Sequence, residues 1–347
     1  MQYNTLGNSD ISVSRICLGT MTWGEQNTQT EAFEQMDFAL EQGVNFWDTA
    51  ELYAVPPRAE TYGHTETMIG NWLAQHKHRD EIVLASKIAG PSSFSTHIRG
   101  GETRFNKQHI HQALEASLKR LQTDYLDLYQ LHWPERTTNF FGQLNFRAPE
   151  HKEDTTDFEE TLEVLTELVK AGKIRQIGLS NETAWGTMKF LQIAERKGLQ
   201  KIVTVQNPYN LLNRSFEIGL AEVAYQEHIG LLAYSPLGFG VLSGKYLNNQ
   251  CPKDSRLDLF PHYDRYINPN AVLATQAYAE LAKAHNLTPT QLALAFVNQQ
   301  PFVSANIIGA TSINQLAENI DSINVTLNEE ALQAIEKIHN LYTIPSP

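Results

Sequence analysis

Eight short apolar segments alternate with helical periodicities along the chain, and no charged run or Gly/Ser linker interrupts them. This pattern predicts an α/β protein: one parallel (β/α)8 barrel of the TIM type, with residues 1–347 as a single domain. The length agrees, since such a barrel takes about 250 residues and the remainder suffices for insertions. An N-terminal β-hairpin and two extra C-terminal helices complete the expected architecture.

Tyr3 to Leu6, the turn Gly7-Asn8-Ser9-Asp10 and Ile11 to Ser14 predict the hairpin. Ile16 to Leu18 is the first buried strand and runs into Gly19-Thr20-Met21-Thr22-Trp23-Gly24. Ala32, Phe33, Met36, Ala39 and Leu40 share one face of a helix over Thr30 to Glu41, closed by Gly43. Val44 to Trp47 is the second strand, with Asp48 at its tip. A loop from Ala54 to Tyr62 and a helix from about His64 to Gln75 follow. The third strand is Ile82 to Ile88 and the fourth Tyr125 to His132, separated by a helix from Asn106 to Leu121. Thr156 to Lys170, Thr183 to Arg196 and Asn213 to Gln226 read as helices. The strands between and after them are Ile174 to Asn181, Ile202 to Asn207 and Gly230 to Tyr234. Helices over Asn270 to His285 and Pro289 to Asn298 precede the last strand, Asn306 to Ile308, and helices start again at Ile313 and Asn328. Two stretches exceed compact spacing, 90–104 and 135–155. Both leave strand C-terminal ends, where barrels carry their sites, so they read as a lid or pocket wall, or else as mobile surface loops.

Composition narrows the function classes. Apolar residues make up 41% and charged residues 19%, enough to bury a large core. A net charge of −12 without any basic block argues against nucleic acid or an anionic membrane as partner. Cys17 and Cys251 have no metal-ligand spacing, so reduced thiols and no metal are expected. No apolar run reaches the roughly 18 residues of a membrane span, and no apolar leader follows Met1. A cytoplasmic monomer is the expectation.

The chemistry concentrates at strand tips. Asp48 ends the second strand and Tyr53 follows five residues later; Lys87 lies at the end of the third strand and His132 at the end of the fourth. On a barrel these tips are neighbours, which should bring the Tyr53 hydroxyl within roughly 6 Å of Lys87, the reach of one bridging water. Lys87 would then favour the phenolate and lower the Tyr53 pKa, while Asp48 keeps the ammonium charged. Neutral His132 can orient a carbonyl oxygen. Such a group protonates an oxygen as charge develops there, so the missing half of the reaction is a hydride, for which nicotinamide is the natural source.

These motifs together resemble the aldo-keto reductase superfamily along essentially the whole chain, closest to its Tas-type bacterial branch. The resemblance is carried by Gly19-Thr20-Met21-Thr22-Trp23-Gly24, Asp48-Thr49-Ala50 with Tyr53, Ser86-Lys87 and Asp127-Leu128-Tyr129-Gln130-Leu131-His132-Trp133-Pro134. Gly172-Lys173-Ile174-Arg175, Gly178-Leu179-Ser180-Asn181, Gln206-Asn207-Pro208-Tyr209-Asn210 and Tyr234-Ser235-Pro236-Leu237-Gly238 extend it. It implies an NADP-dependent reductase of aldehydes and ketones, with Tyr53 as proton donor, Lys87 and Asp48 tuning it, and His132 orienting the carbonyl. One departure concerns the tyrosine. The family's Tyr-Gly-x-x-Glu stands here as Tyr62-Gly63-His64-Thr65-Glu66, whereas Tyr53 keeps the five-residue distance from Asp48. Ala54 to Tyr62 reads as an insertion after a catalytic Tyr53.

The resemblance also implies a cofactor site at Gly19, Thr20, Met21 and Asp48. Ser180, Asn181 and Gln206 would hold the carboxamide and Tyr234 would stack on the nicotinamide. Ser235, Pro236, Leu237, Gly238, Gly240, Leu242 and Gly244 form a loop suited to a pyrophosphate. Lys245 and Arg256 resemble the pair that meets the 2′-phosphate of NADPH. Gly309, Thr311, Gln315, Glu318 and Asn319 match the adenine-end segment, although many relatives carry Lys and Arg where this chain has Gly309 and Gln315. The preference for NADPH then falls mainly to Lys245 and Arg256. Trp23 and Trp133, with Phe140 and Phe141 as covers or loop anchors, would make an aromatic mouth around Tyr53 and His132 for a hydrophobic or aryl carbonyl compound. An alternative from another class is an NADP-binding, redox-sensing regulatory module like the channel-associated barrel subunits. A third is a lyase or isomerase using Lys87 as a Schiff base, which a charged Lys87 beside an acid disfavours.

Overall fold

Period-two alternation decides which side chains fill the molecule's centre. In the computed structural model, which describes residues 1–347, β1 (Tyr3–Thr5) and β2 (Ser12–Ser14) pair antiparallel. Eight parallel strands then close into a barrel: β3 (Ile16–Gly19), β4 (Phe46–Asp48), β5 (Val83–Ile88), β6 (Leu126–Leu131), β7 (Ile174–Ser180), β8 (Ile202–Pro208), β9 (Gly230–Tyr234) and β10 (Val303–Ile308). They pair in chain order, and β10 returns to β3. Cys17, Phe46, Ala85, Leu128, Leu232 and Ala305 point inward and pack with Leu6, Ile11 and Val13 of the hairpin region. The hairpin therefore plugs the N-terminal end of the barrel, leaving the C-terminal end for a site. Gly7 makes that fit possible: its φ is +54°, and a Cβ there would stand 2.0 Å from the Val203 carbonyl oxygen.

The plug gives a first test. Leu6 is fully buried, so Leu6→Ala is expected to cost about 2–5 kcal/mol in urea denaturation, the usual range for a core leucine. A loss below about 1 kcal/mol would mean that the end of the barrel collapses around the gap.

The helices are α1 (Gln29–Glu41), α2 (His64–His76), α3 (Lys107–Leu121), α4 (Phe158–Lys170), α5 (Ala184–Lys197), α6 (Leu220–Gln226), α7 (Arg256–Leu259), α8 (Pro269–Ala284), α9 (Pro289–Asn298), α10 (Ile313–Asp321) and α11 (Glu329–Leu341). Local chemistry sets several starts. Thr28 with Glu31 and Thr288 with Gln291 form capping boxes, and the Asn106 side chain accepts from His109 N. α10 completes the helical ring between α9 and α1, and α11 lies on α8, so both C-terminal helices follow the last strand as predicted.

Several boundaries differ from the sequence expectation, three of them with a visible cause or a shift of three or more residues. The helix predicted over Asn213 to Gln226 is broken: a single turn at Ser215–Glu217 is followed by Gly219 at φ +102°, and only α6 remains. α4 starts at Phe158, capped by Asp157, because the Thr156 N–H and hydroxyl both donate to the Glu135 carboxylate. The last strand begins at Val303, three residues before the predicted Asn306. No helix is long and apolar enough to cross a membrane.

Candidate active site

Strand register brings the polar tips together. Gly19, Asp48 and Ala85 lie side by side on β3, β4 and β5; Lys87 faces Gln130 on β6; Ser180 faces Gln206 on β8. The alternation that points Phe46, Ala85 and Leu128 into the barrel also points Asp48, Lys87 and Gln130 inward, one step nearer its open end. A polar layer thus rests on an apolar one.

Within that layer Lys87 Nζ is 2.6 Å from Asp48 Oδ2, 2.7 Å from the Thr49 carbonyl oxygen and 3.3 Å from the Tyr53 hydroxyl. Gln206 and Gln130 both donate to the other Asp48 oxygen, at 2.8 and 3.1 Å. Asp48 and Lys87 are buried. Burial alone would pull the Lys87 ammonium down, but Asp48 and Tyr53 outweigh it and hold the group above its ordinary value. A charged Lys87 with three oxygen acceptors is a poor nucleophile, which argues against the Schiff-base reading.

The Tyr53 phenol departs from the expected direction. Burial pushes it up, Lys87 pulls it down and Asp48 pushes it up again, leaving it raised rather than lowered. The neighbouring cation alone would lower it, but burial outweighs that pull. His132 lies with its ring centre 5.9 Å from that of Tyr53. Burial, then the nearby Lys87, holds it well below the usual histidine range, so it is neutral at pH 7. Its Nδ1 is buried without a partner, while its backbone carbonyl accepts from Asn181 at 2.8 Å.

Tyr62 belongs to different machinery. Its hydroxyl donates to Glu51 Oε2 at 3.1 Å, and Glu51 is gripped by Arg99 through two bonds of 2.7 and 2.9 Å. Glu66, the end of the family-like Tyr-Gly-x-x-Glu run, accepts from Ser86 and Arg120 at 2.6 and 2.7 Å. Tyr62 is therefore part of a buried ion-pair network behind the site, and Tyr53 is the phenol beside Lys87.

A cleft of about 1360 Å³ opens above these groups. Gly19, Thr20, Met21, Asp48, Tyr53, His132, Trp133, Ser180, Asn181, Gln206 and Tyr234 line it. So do Ser235, Pro236, Leu237, Gly240, Lys245, Arg256, Gly309, Thr311, Gln315, Glu318 and Asn319. Five expected site residues do not, among them Lys87, which is fully buried against Asp48. Trp23 is fully buried, its indole N–H donating to Gln35 Oε1 at 3.2 Å, so it packs under α1 instead of lining the mouth. Gly238, Leu242 and Gly244 are not part of its lining: Leu242 packs in the core, and the space beside Gly238 is taken by the Tyr266 ring.

Both insertions build the wall. Phe94 of the first and Phe141 of the second lie 5.4 and 5.8 Å from the Trp133 ring, whose N–H donates to Pro91 O at 2.9 Å. Phe140 packs on the small cluster that contains Ala50, Tyr53, Ile98 and Trp133, with its ring 4.9 Å from that of Phe141, anchoring its loop. Sequence reasoning missed Gln130, although a glutamine between inward-facing Leu128 and His132 was a signal for it. It also missed Phe94, Phe239, Tyr263 and Arg265, which line the cleft from irregular segments without a pattern.

The residues fit a dinucleotide on their own chemistry. Ser235, Phe239 and Gly240 take left-handed φ of 53, 57 and 89°, coiling the segment so that backbone N–H groups suit an anion. Tyr234 OH donates to Asn181 Oδ1 at 2.6 Å, placing a phenol and an amide together at the inner end. Lys245 and Arg256 line the cleft without any carboxylate partner.

Residues 15–340 match the Aldo/keto reductase family, so the chain belongs to it and is an oxidoreductase of carbonyl compounds. The chain is 50% identical over 347 residues to Protein tas of Escherichia coli (strain K12), covering 100% of both chains. It is 30% identical over 354 residues to Aldo-keto reductase YhdN of Bacillus subtilis (strain 168), covering 97% and 93%. To Norsolorinic acid reductase B of Dothistroma septosporum it is 29% identical over 352 residues, covering 97% and 81%.

Proposed function

We propose that the chain reduces aldehydes and ketones to alcohols with NADPH, Tyr53 giving the proton. The observation that carries this reading is the 3.3 Å approach of the Tyr53 hydroxyl to a Lys87 held by Asp48, at the floor of a cleft that His132 also lines. The cofactor supplies the hydride. Tyr53 donates its proton to the carbonyl oxygen, and Lys87 stabilises the phenolate left behind. Neutral His132 donates to the same oxygen and orients it. Asn181, Ser180 and Gln206 hold a carboxamide, and Tyr234 offers a ring to stack on. Asn181 couples the two halves, since it also holds the His132 carbonyl and the Tyr234 hydroxyl. The wall of Trp133, Phe94 and Phe141 favours hydrophobic or aromatic substrates.

A fluorescence titration with NADPH and NADH, followed by steady-state reduction of aryl and aliphatic aldehydes, tests the reading directly. Lys245 and Arg256 carry the 2′-phosphate preference. Hydrogen bonds to charged groups contribute about 1.5–3 kcal/mol, so Lys245→Met and Arg256→Met should each weaken NADPH binding about 10–100-fold. NADH binding should stay unchanged. Equal affinities of the wild-type chain for both cofactors would remove those roles.

A further inference from the structure

The half-buried arginines of this molecule are almost all spoken for. Arg79 pairs with Asp127, Arg99 with Glu51, Arg120 with Glu66, Arg136 with Glu182 and Arg214 with Glu217. Arg256, assigned above to the nucleotide, and Arg265 are the exceptions in the cleft, and Arg265 has no role yet. It lines the cleft that holds Tyr53 and His132, yet forms no salt bridge, although the chain carries 39 acidic residues against 27 basic ones. Its guanidinium lies 5.6 Å from the centre of the Phe239 ring and 6.0 Å from that of Tyr266. These two rings form a shelf that fixes a flat cation and keeps water from part of it. From this shelf the side chain crosses to the second insertion, where a Cβ on Gly142 would be 3.1 Å from its Nε. Phe141, the neighbour of Gly142, belongs to the aromatic wall.

Arg265 also sits at the reacting end of the cleft. Burial pushes the Tyr234 phenol up, and the nearby Arg265 charge pulls it only part of the way back. The Tyr234 hydroxyl binds Asn181, and Asn181 holds the His132 carbonyl. Arg256, assigned above to the nucleotide, reaches the same Phe239 ring at 5.3 Å. Two cations thus flank one aromatic side chain, and the nucleotide reading uses only one of them.

We infer that Arg265 anchors an anionic group on the carbonyl substrate, so that the preferred substrates are aromatic aldehydes or ketones bearing a carboxylate. This rests on the reductase reading and gives it a substrate class. The aryl body lies on Trp133, Phe94 and Phe141, the carbonyl meets Tyr53 and His132, and the carboxylate takes the planar donor fork of Arg265. A carboxylate suits the site because a guanidinium matches it in two parallel hydrogen bonds, and no carboxylate of the protein forms a salt bridge with Arg265.

The test compares 3- and 4-carboxybenzaldehyde with 4-methylbenzaldehyde, using the full chain and NADPH. The wild-type chain should favour at least one carboxylated aldehyde by tenfold or more in kcat/KM. Arg265→Met should remove that preference, lowering kcat/KM for the carboxylated substrate about 10–100-fold, chiefly through KM. It should leave 4-methylbenzaldehyde turnover and the NADPH Kd within twofold, and Arg265→Lys should recover part of the loss. An equal loss on all three aldehydes, or a matching rise in the NADPH Kd, overturns the assignment by making Arg265 a structural or cofactor group. Wild-type turnover of 4-methylbenzaldehyde without any carboxylate preference sinks the substrate class alone. Turnover of none of these aldehydes, nor of any other carbonyl compound, sinks the reductase reading beneath it.

Discussion

Tyr53→Phe is expected to lower kcat for aldehyde reduction by about 10²–10⁴-fold, the span that a positioned general acid contributes. The NADPH Kd should hardly change, since the ring remains and only the hydroxyl is lost. Tyr62→Phe should stay within a few-fold of wild type, because the Tyr62 hydroxyl binds Glu51 and not Lys87. The two variants compare phenols nine positions apart, both of which fit part of the family motif. If Tyr62→Phe abolishes turnover and Tyr53→Phe does not, the assignment of the donor is wrong. The pH dependence follows from the direction of the Tyr53 shift. Proton donation needs the neutral phenol, and burial raises that phenol above the ordinary value of about 10. The donor form therefore persists through neutral pH, and reduction should decay only as pH rises through the raised value. His132 is held neutral from well below its usual range upward, so it adds no acidic limb near pH 6.

How much of this was legible in the sequence depended on whether a residue sat in a repeating pattern. The strands were readable because a barrel strand buried on both faces is an apolar run, and a polar residue at its end stands out. Asp48, Lys87 and His132 were visible for that reason. The plug made by Leu6, Ile11 and Val13 was visible only as a hairpin, since what it covers is a matter of tertiary packing. Trp23 misled because a tryptophan after a strand tip reads equally well as a pocket wall or a core ring. The decision rests with Gln35, twelve residues on, which accepts its N–H. The Asn213 to Gln226 helix failed at Gly219, whose positive φ the surrounding periodicity concealed. Arg265 and Phe94 lie in irregular segments, where nothing local signals that a side chain turns towards the cleft. The direction of the Tyr53 shift was illegible for another reason: burial and the Lys87 charge act on the phenol in opposite directions, and only packing sets the first.

Breaking the Lys87–Asp48 pair should damage both stability and turnover, in ways that can be separated. Lys87→Met keeps most of the side-chain volume but leaves the Asp48 carboxylate buried, with only Gln130, Gln206 and the barrel interior around it. Removing one partner of a buried pair costs about 3–5 kcal/mol, because the remaining charge is uncompensated. Urea denaturation at pH 7 should show a loss of that size. Adding Asp48→Asn to Lys87→Met should restore part of it, since the orphaned charge is then gone, and the non-additivity of the cycle measures the pair. Turnover behaves differently. Lys87 is the cation 3.3 Å from the hydroxyl that becomes a phenolate as the proton leaves, and losing such a preorganised charge costs about 10²–10³-fold in kcat. The double variant should therefore fold better than Lys87→Met and remain as inactive. If it regained activity together with stability, Lys87 would be acting only as a structural counter-ion. A Lys87→Met chain as stable as wild type would show that the Lys87–Asp48 pair adds no net stability, and the structural half of this account would fail.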